Sequence, residues 1–111
     1  MNVYDEMNNL CKAIKESHEF KLVQESKGKL KADKTAEDMV QDFLKKKQAL
    51  EIQQYQGKEP SKDDIAKVEK IYDVIKLNPV AADYVQNYVR FQMMIADISK
   101  SLGDTIKEAV E

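Results

Sequence analysis

The side chains that could ligate a metal or attack a carbon centre are few and scattered. His18 is the only histidine and Cys11 the only cysteine among 111 residues. A di-iron site in a helical bundle draws on two Glu-x-x-His motifs, and structural zinc sites need several His or Cys ligands. Three positions before His18 stands Lys15, not a glutamate. A serine–histidine–aspartate arrangement would have to use the same histidine, which lies beside Glu19 next to a helix start and reads as an exposed neighbour of the cap. Cys11 falls on an apolar stripe, where a thiol behaves as a small hydrophobe filling a core. The adjacent carboxylates Glu37-Asp38 and Asp63-Asp64 diverge by about 100° on a helix, so neither pair converges on one atom. They serve helix starts. The three glycines stand far apart, which leaves no loop to cradle a phosphate. No catalytic constellation, metal site or cofactor is expected, and the chain reads as a non-enzyme.

Lysines are the remaining candidates. Lys27, Lys29, Lys31 and Lys34 form one cluster and Lys45, Lys46 and Lys47 another, together a candidate surface for a partner or, as the alternative function, for RNA. Consecutive lysines on a helix fan over more than half its circumference, and the interspersed acids weaken the field that phosphate binding needs, so RNA is the lesser expectation. Asp42 with Lys46 and Asp63 with Lys67 have the spacing of exposed ion pairs, each worth a few tenths of a kcal/mol. The five tyrosines mostly lie on apolar stripes and read as core.

The elements that must position these groups are helices. Apolar residues make up 42% of the chain and charged residues 34%, a balance that excludes disorder and leaves a heavily charged outside. Three glycines and two prolines are too few for the frequent turns of a sandwich or barrel. A net charge of −2, from 18 basic and 20 acidic residues, gives no long-range steering. The longest apolar run, Met93-Met94-Ile95-Ala96, falls far short of the ~20 residues that cross a bilayer. The opening residues Met1 to Glu6 show neither the basic start nor the apolar stretch of a secretion signal, and a single cysteine fits a reducing compartment; the expectation is a cytoplasmic, single-domain chain over 1–111.

A first helix over 2–16 carries Val3, Tyr4, Met7, Leu10, Cys11 and Ile14 at helical spacing. A second follows the cap Ser17 to about Lys31, weakened by Gly28. Asp33 caps a third, which reaches Gln54 or Tyr55. Gly57 and Pro60 mark a turn, and Ser61 to Asp64 is a variant capping box opening a fourth helix with Ile65, Val68, Ile71, Tyr72 and Ile75 on one face. Asn78-Pro79 closes it and starts the fifth, which Gly103 should end or bend.

The fifth helix is the most informative. Ala81, Tyr84, Tyr88, Phe91, Ile95, Ile98 and Leu102 follow the alternating three-and-four spacing of a helix packed lengthwise on another. Ala82, Val85, Val89, Met93 and Ala96 add a second stripe. Together these cover far more of the circumference than the ~100° arc of an ordinary surface helix, and one stripe left wet would be a sizeable exposed patch. The chain is therefore expected to pack on a second copy of itself, as a homodimer or higher oligomer, through Tyr84, Val85, Tyr88, Val89, Phe91, Ile95, Ile98 and Leu102. The fold class is all-α: about five helices in long antiparallel hairpins forming an oligomeric bundle.

Four segments carry a resemblance: the opening Val3-Tyr4-Asp5, Ser17-His18-Glu19-Phe20, Ala32-Asp33 ahead of Ala36, Met39 and Phe43, and the closing Met94-Ile95-Ala96-Asp97-Ile98. In pattern and length, over nearly its whole extent, the chain resembles the YlbF/YmcA family of small helical bacterial proteins, and most of all its YheA-type members. The resemblance implies a cytoplasmic, oligomeric accessory protein that binds another cytoplasmic protein. The family is linked to competence, sporulation and biofilm control, partly through a complex that modulates RNA processing by a ribonuclease. Some members of that complex are associated with an iron–sulfur cluster, which needs several thiolates; Cys11 alone does not supply them.

Overall fold

The computed structural model describes all residues, Met1–Glu111. Five helices and no strands make up the chain: α1 (Val3–Glu16), α2 (His18–Lys31), α3 (Lys34–Tyr55), α4 (Lys62–Ile75) and α5 (Pro79–Val110). The boundaries follow from side chains that satisfy the amides left open at each helix start. Asn2 Oδ1 accepts from the Tyr4 and Asp5 amides at 2.8 and 3.3 Å. Ser17 works in both directions, its Oγ donating to the Ile14 carbonyl at 2.6 Å and accepting from the Phe20 amide at 3.2 Å. Asp33 accepts from the Ala36 amide, Ser61 from Asp64, and Asn78 from Val80 and Ala81. Pro79, lacking an N–H, occupies the first position of α5, where that donor would have been unpaired anyway.

Helix α3 ends in a Schellman arrangement, with the Lys58 amide on the Gln53 carbonyl at 2.9 Å and the Gly57 amide on Gln54 at 3.1 Å. This closure needs a left-handed residue, which Gly57 supplies at φ +81°. Gly28 and Gly103 behave differently. Both lie inside helices that continue past them, so Gly103, expected to end or bend the last helix, does not end it. One glycine costs a 32-residue helix only about 1 kcal/mol.

The chain divides into two compact units: Met1–Glu25 with Gln86–Glu111, and Ser26–Val85. Within Ser26–Val85, α3 and α4 pack along each other, and every fully buried apolar side chain of the protein lies here: Leu30, Ala36, Val40, Phe43, Ile75, Ala81 and Val85. The Phe43 and Tyr72 rings meet at 5.8 Å. Ser26 Oγ donates to Asp83 Oδ2 at 3.0 Å, a bond between residues far apart in sequence that fixes register inside this core.

The other unit contains α1, the start of α2 and the distal part of α5. It buries no apolar side chain completely. Its best-packed feature is an edge-to-face contact of Phe20 with Phe91, centroids 6.0 Å apart and planes at 62°.

Candidate interaction surfaces

The apolar stripes of α5 meet different fates along the helix. At its start Ala81 and Val85 are buried, Val85 to 2% exposure, with Tyr84 half-buried beside them. Val85, expected on the interface between copies, is instead part of the core of Ser26–Val85 and is withdrawn from that surface. One turn further the cover ends. Val89 is 38% and Met93 63% exposed, and Leu102 and Ile106 stand more than half in solvent. Tyr88, Phe91, Ile95 and Ile98 are half-buried. Distal α5 thus keeps one partly covered stripe and one open stripe.

The other departure concerns α1. Cys11, expected as core filler, is exposed, and none of the 14 residues of α1 is buried. The stripe was legible in the spacing; that the protomer leaves all of it but half-buried Ile14 exposed was not. A helix joined to the next through Ser17 alone, with six apolar residues on one side, was the available signal. Tyr4 and Tyr55 are also exposed, unlike Tyr72, Tyr84 and Tyr88. Tyr55 lies at the tip of the α3–α4 pair together with exposed Ile52 and Ile65, a second apolar patch that sequence reasoning missed.

The candidate lysines all fall in Ser26–Val85. Lys27, Lys29 and Lys31 are exposed on α2; Lys27 and Lys31, four apart, share a side that Lys29 does not. Lys34 bonds Asp38 at 3.4 Å and Lys46 bonds Asp42 at 3.3 Å, whereas Asp63 and Lys67 form no ion pair. Lys45 is exposed and Lys47 half-buried. Lys47 borders an open cleft that Phe43, Tyr72, Lys76, Glu69 and Asp73 also line. The Lys76 ammonium lies 4.8 Å from the Tyr72 ring centroid and 3.8 Å from Asp73 Oδ1. Among the candidate lysines, Lys34 and Lys46 are thus held by acids, whereas Lys27, Lys29, Lys31 and Lys45 are exposed without an ion pair. A neighbouring cleft along α3 and α4 is mostly apolar, lined by Met39, Ile71 and Val74 with Asp42 and Lys70 at its rim.

His18 is exposed at the start of α2. Glu37, Asp63 and Asp64 stand in first helical turns, where their charge complements the helix dipole. No group of three or more His, Cys, Asp or Glu converges on a point where an ion could sit. No helix is long and apolar enough to cross a membrane. What the geometry offers is exposed apolar surface, on α1, on distal α5 and at the α3–α4 tip.

Known proteins share this organisation. The chain is 36% identical over 105 residues to a UPF0342 protein of Caldicellulosiruptor saccharolyticus, covering 95% of this chain and 88% of that protein. It is 37% identical over 106 residues to a UPF0342 protein of Caldicellulosiruptor bescii, covering 96% and 89%. In three dimensions it is similar to Bacillus subtilis RicA, solved in complex with RicF, with a TM-score of 0.57 over 98% of this chain and 96% of that one, at 23% identity; that likeness shows the fold. The family described as control of competence regulator ComK, YlbF/YmcA, matches residues 3–107. Near-complete matches to family and relatives, joined to the five-helix order, establish that this chain belongs to the YlbF/YmcA family.

Proposed function

We propose that this protein is a non-enzymatic, cytoplasmic interaction protein that self-associates through distal α5 and presents α3 to a second protein, as an accessory factor in the regulation its family serves. The observation that carries this reading is the change along α5: Val85 is enclosed, while Val89, Met93 and Leu102, on the same helix, are not. Leaving such a stripe in water is costly at ~25 cal/mol per Å2, and another chain is the simplest cover. The interface comprises Tyr84, Tyr88, Val89, Phe91, Ile95, Ile98 and Leu102. RicA having been captured with RicF supports a protein partner for this fold. The family's description supports a regulatory role.

Light scattering tests the first half. The chain is expected to run above monomer mass at micromolar concentration, and Leu102→Glu to shift it to monomer by placing a charge in the apolar contact. A compact monomer at that concentration would overturn the reading.

RNA contact through Lys27, Lys29, Lys31, Lys34, Lys45, Lys46 and Lys47 is the competing reading, favoured only by the exposure of most of them. Affinity capture of the tagged protein with and without ribonuclease separates the two. Partners that survive the treatment support protein–protein association; partners that vanish, together with RNA binding that weakens steeply with salt, support the alternative.

A further inference from the structure

The helix least accounted for is α1. Its apolar residues are the most sharply one-sided of any helix here, yet none of its 14 residues is buried. Val3, Tyr4 and Met7 are 81%, 73% and 51% exposed, with Leu10 and Cys11 open beside them. An isolated helix of this length is marginal in water, because its stability comes chiefly from packing an amphipathic face. Something must cover the stripe for α1 to persist.

We infer that a second copy of this chain covers it, so that α1 and distal α5 form one continuous self-association surface. This rests on the self-association proposed above and adds α1 to it. Area decides the occupant. The exposed apolar side chains of distal α5 (Val89, Met93, Leu102, Ile106 and Val110) fall well short of the ~800 Å2 that each partner gives to a standard interface, and those of α1 (Val3, Tyr4, Met7 and Leu10) bring the total close to it. Both stripes belong to the same compact unit. In a two-fold dimer the same surface patch is buried on both copies, so both stripes are covered in each copy at once. A net charge of −2 per copy opposes this association little.

The single native cysteine makes the inference measurable in the unmodified full-length chain, because Cys11 lies on the stripe itself. Alkylation of Cys11 by N-ethylmaleimide is expected to be at least tenfold slower at concentrations where light scattering shows the associated form than after dilution to monomer. Met7→Glu is expected to raise the dissociation constant at least tenfold. An associated form in which Cys11 reacts as fast as in the dilute chain, or a Met7→Glu variant that associates as tightly as the parent, would remove α1 from the interface and leave the α5 reading intact. A chain that stays monomeric at every concentration would remove both.

Discussion

Ser26–Val85 and the unit formed by Met1–Glu25 with Gln86–Glu111 are built from the same material, amphipathic helices with charged outer faces, and they end differently. The first places the hairpin of α3 and α4 with the end of α2 and the start of α5, and encloses Ile75 and Val40 almost completely. The second has three helical segments and leaves even its best-packed aromatic pair, Phe20 with Phe91, half-buried. An interior position needs neighbours on several sides. The hairpin supplies the extra side, so Ser26–Val85 holds its own core, whereas the other unit has apolar stripes in want of a partner.

Substitutions can break or sharpen this contrast. Ile75→Ala is expected to cost about 3–4 kcal/mol by leaving a cavity in a fully enclosed site, and denaturant unfolding should show the same loss at every protein concentration. Ile95→Ala, in the open unit, is expected to cost about 1–2 kcal/mol and to differ in kind: the loss should grow with concentration, because it falls on the associated form. Equal and concentration-independent losses would erase the distinction between the units. Gly57→Ala, at the left-handed end of α3, should lower the thermal midpoint by an amount corresponding to about 1 kcal/mol. Gly28→Ala tests the reverse case. Its Cβ would meet nothing within 4 Å, so helix propensity alone should raise stability by about 0.5–1 kcal/mol.

Much of this was legible in the residues. Ser17, Asp33, Ser61 and Asn78 each mark a helix start within a residue of where it occurs, since a cap is a bond between neighbours in sequence. The Asp42–Lys46 pair likewise depends only on spacing along one helix. Gly103 misled as a helix end because the cost of one glycine is small against the hydrogen-bonded turns on either side of it. Cys11 misled for another reason. A stripe states that a face is apolar, not that the protomer holds anything to lay against it.

Val85 and Val89 mark the division. Sequence by itself determined that both lie on an apolar side of one helix, because periodicity and capping are properties of adjacent residues. Only the tertiary structure decided that Val85 goes inside and Val89 stays at the surface. Burial depends on what residues distant in the chain bring alongside, and around Val85 the core assembled with α3 and α4 brings enough, while around Val89 and along α1 the protomer does not.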